Sequence, residues 1–271
     1  METWRFLPYQ RYSGAENMAI DEAVMHLHRE GKVPPTVRFY GWNPATLSIG
    51  YFQKGRKEIR LDELERRGLG FVRRMTGGRA VLHDQELTYS VIISEDHPLM
   101  PKTVSESYRV ISQGLLQGFR RLGLNARLSP PVRTHKDHLS AACFDSPSDY
   151  ELVIEGKKAA GSAQIRQRGV ILQHGSILLD FDEETLFAVL EFPSERVRER
   201  LKAAFCEKAV AINRLRTQPV TIDEVITAFY EGFQEGMNVK LEQGSLIDEE
   251  IELVHSLVRE RYGTEAWNLR R

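Results

Sequence analysis

Residues 150–180 read YELVIEGKKAAGSAQIRQRGVILQHGSILLD. Three β-rich runs lie in this stretch, separated only by turns around Gly156 and Gly169. Runs joined this tightly pair as hairpins, because a parallel neighbour needs a crossover of a dozen or more residues. The stretch therefore predicts antiparallel pairing.

Outward toward the N-terminus the same pattern continues in groups. LTYSVIIS (87–94) has the apolar density of a central strand. AVLHD (80–84) and GFVRR (70–74) precede it, behind a short charged helix, LDELERRG (61–68). TVRFYGW (36–42) and ATLSIGYFQ (45–53) are β-rich and split by a turn at Asn43-Pro44, and TWRFLPY (3–9) reads as a first strand. Between these groups fall helices. In AENMAIDEAVMHLHREG (15–31), Ala19, Ala23 and Leu27 share one row and Ile20 and Val24 the next. Thr103 and Glu106 have capping-box spacing, and Val104, Tyr108, Ile111, Leu115, Phe119 and Leu122 then repeat at steps of three and four. Residues 125–149, rich in Pro, Ser, His and Asp, read as a long loop. Beyond Asp180 the pattern is helical. Thr221 and Glu224 cap a helix carrying Val225, Phe229 and Phe233, and a last helix carries Ile251, Val254, Val258 and Tyr262. Hairpins with helices inserted between groups predict an α+β fold: a mixed, largely antiparallel sheet flanked by helices.

With 271 residues, 41% of them hydrophobic, the chain can bury a sizeable core. A formal net charge of -1 argues against bulk nucleic-acid binding. Two cysteines make no disulfide framework. No apolar run approaches a membrane span, and METWRFLPYQRYSG lacks the apolar core of a signal peptide. A cytoplasmic protein with free thiols and no membrane partner is expected.

RRMTGGRAVLHD (73–84) places two glycines between β-like segments, where the backbone can approach a ligand closely. From spacing alone, a glycine-containing hairpin turn with solvated arginines is the simpler reading. The chain contains no P-loop and no dinucleotide fingerprint. His135, Asp137, His138 and Cys143 cluster in HKDHLSAAC, but with no common zinc spacing, so no metal is expected. Cys143 sits in the polar loop, whereas Cys206, in the helical LKAAFCEKAV, reads as structural. Lys157 and Lys158 follow a tight turn, and strand alternation sends them to opposite faces. Arg166, Arg168, Arg196 and Arg200 are candidates for steering an acidic partner, or simply solvated charge.

Taken together, RFYGWNPATLSIGYFQ, FVRRMTGGRAVLHDQELTYSV, GKKAAGSAQIRQRGVILQHGSILLD and the Cys143 loop closely resemble the lipoate–protein ligase and biotin–protein ligase superfamily. They look most like its cysteine-dependent octanoyltransferases. The resemblance spans nearly the whole chain. It implies the catalytic fold shared with biotin protein ligase and, distantly, class II aminoacyl-tRNA synthetases. It implies transfer of an octanoyl group from octanoyl-acyl carrier protein to a lysine of an apo lipoyl domain such as the glycine-cleavage H protein. Cys143 matches the family's nucleophile and Lys158 its lysine. Arg74, Gly77, Gly78, Arg79, His83, Gly161, Ser162, Ala163, His174 and Gly175 would bind substrate, with no cofactor, metal or nucleic acid. Backbone N–H groups at Gly77-Gly78 or Gly161 to Ala163 would hold an oxyanion. A single acyltransferase domain over 1–271 is expected, its core at about 33–245 and the helical C-terminal part packed on it. The rivals are an ATP-dependent lipoate–protein ligase, an octanoyl amidotransferase between lipoyl domains, and a non-enzymatic acyl-binding module.

Overall fold

The computed structural model describes residues 1–129 and 151–270. β1 (Glu2–Tyr12) leads into α1 (Gly14–Arg29), then β2 (Thr36–Trp42) and β3 (Thr46–Ile49). Two short helices, α2 (Gly55–Glu58) and α3 (Leu61–Arg66), precede β4 (Gly70–Arg73), β5 (Val81–His83) and β6 (Glu86–Ser94). α4 (Val104–Arg121) and β7 (Ala126–Ser129) follow. β8 (Glu151–Ile154), β9 (Lys157–Gln167) and β10 (Val170–Leu178) form the successive hairpins. Both hairpin turns have two positive-φ residues, Glu155-Gly156 and Arg168-Gly169, the backbone hand that matches strand twist. Then come α5 (Glu183–Ala188), α6 (Glu195–Lys208), a 3-10 turn (Ile212–Leu215) and α7 (Ile222–Met237). The chain ends with β11 (Val239–Gln243), α8 (Asp248–Leu257), a π turn (Val258–Tyr262) and α9 (Glu265–Asn268).

The large sheet has the order β11-β1-β2-β6-β10-β9-β8-β7. From β2 to β7 every pairing is antiparallel, while β11, β1 and β2 run parallel. The mixed, largely antiparallel sheet expected from the hairpins is thus present. A small sheet, β4-β3-β5, stands apart. One face of the large sheet is apolar: Phe6, Phe39, Tyr89, Val91 and Ile171 pack under α4 and α7. Those two helices touch through glycines. Gly114 and Gly118 receive Phe233 and Phe229, and Gly232 sits on the Gly118 backbone. The other face meets α1, whose buried Met18, Ala19, Ile20, Ala23 and Val24 form a second cluster with Val254 and Tyr262.

Some expectations needed adjustment. The sheet draws on residues before position 33, since β1 lies between β11 and β2 and α1 packs beside it. Residues 126–129 of the expected loop form β7, and the remainder of that loop lies outside the described residues. β11 interrupts the helical C-terminal part. In the last helix Val254 and Tyr262 are buried, but Ile251 is 39% exposed. Among the described residues no helix is long and apolar enough to cross a membrane.

Candidate active site

The mostly apolar face of the large sheet holds one small polar chain, Gln164 to Gln173 to Tyr89 to Ser162, whereas its opposite face carries a longer buried polar seam. Arg38 on β2, Glu86, Thr88 and Ser90 on β6, and His174 and Ser176 on β10 are all buried. Alternation along each strand sends them to one side, and burial obliges each to find a partner. A narrow crevice runs between this seam and the small sheet. One wall is built from Tyr40, Trp42, Thr88, His174 and Ser176, with Gly161 and Ala163 of β9. The facing wall is built from Ser48 of β3, Arg74, and Val81 and His83 of β5. Met18 of α1 also lines it. The free space is about 30 Å³, room for a water or two and far below a usual small-molecule site. An acyl chain therefore enters only if side chains shift.

Two hydroxyl–imidazole–carboxylate relays flank the crevice. In the first, Ser48 Oγ lies 2.7 Å from His83 Nε2, and His83 Nδ1 lies 2.7 Å from Glu86 Oε1. The Trp42 ring stacks on His83 at 4.0 Å and 12°. Glu86 also accepts from Thr88 Oγ1 and Ser176 Oγ. Arg74 Nη1 donates to Ser48 Oγ at 2.9 Å. In the second, Thr76 Oγ1 lies 2.6 Å from His174 Nε2, and His174 Nδ1 lies 3.4 Å from Asp21 Oδ2. Asp21 further accepts from Arg38 at 2.9 Å, Tyr40 at 3.0 Å and Ser90 at 2.9 Å. Burial opposes ionisation of Asp21. The hydrogen bond to His174 and the Arg38 guanidinium outweigh it and hold the carboxyl below its usual range. For His174 burial dominates and pushes its pKa down against the bond to Asp21. We therefore take Asp21 as charged and His174 as neutral.

Of the residues expected to bind substrate, Arg74, His83, Gly161, Ser162, Ala163, His174 and Gly175 line this one crevice. Gly77, Gly78 and Arg79 are not on its wall but are tied to it. Arg74 Nη2 donates to Gly77 O at 3.0 Å and to Arg79 O at 2.7 Å. Gly78 adopts φ 94°, and its carbonyl would meet a Cβ on Gly50 at 2.0 Å, so the two loops lie backbone to backbone. Lys157 is exposed and Lys158 buried, as strand alternation requires. Lys158 lies three residues before Gly161, about 10 Å along β9, and is not on the crevice wall. Cys143 lies outside the described residues, as do His135, Asp137 and His138. Arg166 does not face solvent for a partner. It donates to Pro101 O, Lys102 O, Thr103 O and Ser107 Oγ before and within the first turn of α4. No sequence motif singles out Asp21, Ser48, Thr76 or Glu86. The available signals were a carboxylate on the apolar face of α1 and the period-two Glu86, Thr88, Ser90 within an otherwise apolar strand.

A larger groove, about 520 Å³, lies elsewhere, lined by Leu7, Tyr12, Ile20, Leu246, Val254 and Val258 among others. It contains none of the expected site residues.

Residues 13–234 match the family model described as lipoyl protein ligase A/B catalytic domain. A Brevibacillus brevis protein named octanoyltransferase LipM is 61% identical, with 100% of both chains covered. The Bacillus subtilis protein of that name is 58% identical, covering 100% of this chain and 99% of its own. Among solved structures, the bipartite lipoate protein ligase of an archaeal lipoylation system from Thermoplasma acidophilum is 29% identical. It superposes with a TM-score of 0.83 and covers 100% of this chain and 98% of its own. A lipoate-protein ligase A bound with ATP is 28% identical, with a TM-score of 0.79 and 99% coverage of both chains. The chain is thus an acyltransferase and belongs to the lipoyl protein ligase A/B catalytic-domain family, on the octanoyltransferase side of it.

Proposed function

We propose that this single-domain, cytoplasmic enzyme carries an octanoyl group from octanoyl-acyl carrier protein to one lysine of an apo lipoyl domain, such as the glycine-cleavage H protein. Cys143 is the nucleophile and Lys158 the cation that supports its thiolate. The crevice residues Arg74, His83, Gly161, Ser162, Ala163, His174 and Gly175, with the Gly77-Gly78-Arg79 turn, hold the acyl group. The observation that carries this reading is the match, along the entire chain, to relatives named octanoyltransferase.

The chemistry is consistent. The donor thioester is already activated, so attack by a thiolate gives another thioester at little cost. Amide formation then drives the sequence forward, and a covalent intermediate divides one hard transfer into two easier ones. An ammonium close to a thiol lowers the thiol's pKa. The chain on either side of residues 130–150 supports the assignment of Cys143. Ser129 and Glu151 pair with each other, and Leu152 pairs with Ala160, next to Gly161 of the crevice. Cys143 precedes Glu151 by eight residues, a tether of up to about 28 Å when extended.

The test is intact-mass spectrometry after incubation with octanoyl-acyl carrier protein, without ATP or added metal. Wild type and Cys206→Ala are expected to gain one octanoyl group, and Cys143→Ala none. An unmodified wild type that makes octanoyl-adenylate from free octanoate and ATP would replace this reading with the ligase reading, which the ATP-bound structural relative motivates.

A further inference from the structure

Amide formation from a thioester releases a proton, because the attacking nitrogen becomes cationic as its bond to carbon forms. We propose that the Ser48–His83–Glu86 relay is the proton acceptor for the lysine amine, with Ser48 Oγ as the atom that meets it. The inference rests on the acyl-transfer reading above and adds a base to it.

The hydrogen bonds define the relay's direction. A serine hydroxyl has one proton to donate and two lone pairs. One lone pair of Ser48 accepts from Arg74 Nη1. Its proton then goes to His83 Nε2, and His83 donates its Nδ1 proton to Glu86. The second lone pair is left for the amine, and Ser48 lines the crevice. As the N–C bond forms, the nitrogen gives a proton to Ser48 Oγ and the hydroxyl proton moves to His83 Nε2. The C–S bond then breaks, and sulfur leaves with the electron pair as thiolate. The imidazolium returns its proton to that thiolate or to water.

The same chemistry could be asked of Thr76–His174–Asp21, and the charges decide against it. Asp21 shares its charge with Arg38, 2.9 Å away, and its contact to His174 is the longer one, 3.4 Å. Glu86 has no Arg or Lys partner among the described residues, and its neighbours on the seam are hydroxyls and His83. Glu86 Oε1, 2.7 Å from His83 Nδ1, therefore faces the ring where an imidazolium would form, with no cation competing for it among the described residues. The other titratable or charged groups around this pair are Arg74 behind Ser48, Tyr40 and His174 across the crevice with Asp21 and Arg38 behind them, Tyr9 of β1 and Asp84 near Glu86, and Arg11 beside those two.

The experiment follows one turnover from octanoyl-loaded enzyme to a lipoyl domain between pH 6 and 9.5. Glu86→Gln is expected to slow transfer by about 100-fold at pH 7, the lower end of the usual range for general-base catalysis, because the His83 imidazole itself remains. The deficit is expected to shrink as pH rises and hydroxide replaces the base. Free imidazole is expected to accelerate His83→Ala more than wild type. A deficit equal at every pH, with no rescue by imidazole, would overturn the relay and leave these residues a structural role. Should Glu86→Gln fail to fold, Ser48→Ala carries the same pH test, because it leaves His83 and Glu86 paired. A wild type that never forms the amide overturns the acyl-transfer reading itself, which separates the two failures.

Discussion

His174 and Asp21 tie pH to stability through one buried contact. An imidazole whose pKa is depressed by folding binds its proton more readily in the unfolded chain. Its contribution is complete above the ordinary value of about 6.5 and is lost as pH falls toward the lower folded value. Asp21, also depressed, holds its contribution down to about pH 4 and loses it below that. Denaturant melts at pH 7 and pH 5 should therefore show a stability loss on acidification that is smaller in His174→Gln. A residual loss is expected, since burial also depresses His28. An equal loss in both proteins would mean that His174 is protonated in the fold at pH 5. At this scale the lining of the crevice was legible where a motif named the residue: His83, Gly161 on β9 and His174 on β10. It was illegible where a hydroxyl or carboxylate stood inside an apolar run. Ser48 and Glu86 look ordinary until the two sheets face each other.

At the scale of elements, the contact of α4 with α7 is the most demanding. Gly114 and Gly118 on one helix and Gly232 and Gly236 on the other let the backbones approach. Alanine suits a helix better than glycine by about 1 kcal/mol. A Cβ on Gly232, however, would lie 2.4 Å from the Gly118 amide nitrogen, and backbone cannot rotate away. Overpacking of this kind costs about 1–3 kcal/mol or more. Gly232→Ala is therefore expected to lower the Tm by several degrees, at roughly 2–4 °C per kcal/mol for a chain of this size. A raised Tm in calorimetry would show that the helices slide apart freely. Helix starts were readable because caps are local: Thr103 and Thr221 each accept from the backbone three residues on. β11 was missed for the opposite reason. Its five residues follow a helix after a single residue, and two buried positions, Val239 and Leu241, are too short an alternation to stand out, so what makes them a strand is β1.

Across the whole molecule, a near-neutral net charge leaves steering to local patches. Arg198 is engaged by Glu195 and Glu199, whereas Arg196 and Arg200, on the same helix α6, are exposed. Reversing both to Glu should raise the KM for an acidic carrier protein and flatten its salt dependence, measured as initial rates across ionic strength. Unchanged values would leave them as solvated charge. The antiparallel half of the large sheet was legible because each hairpin is closed by its own turn. The parallel half was not, because Glu2 pairs with Val239 and nothing near either residue announces the other. That pairing bears on how the chain is made. On the ribosome β1 emerges before β11, so one of its edges stays open until residues 239–243 have been translated, on the order of ten seconds or more later. Over the same interval the Arg5 guanidinium waits for Glu250, its bidentate partner at 2.8 and 2.6 Å. A nascent chain thus carries an unpaired strand edge and an uncompensated charge side by side. The charge discourages that edge from recruiting a stray strand until α8 arrives to neutralise it.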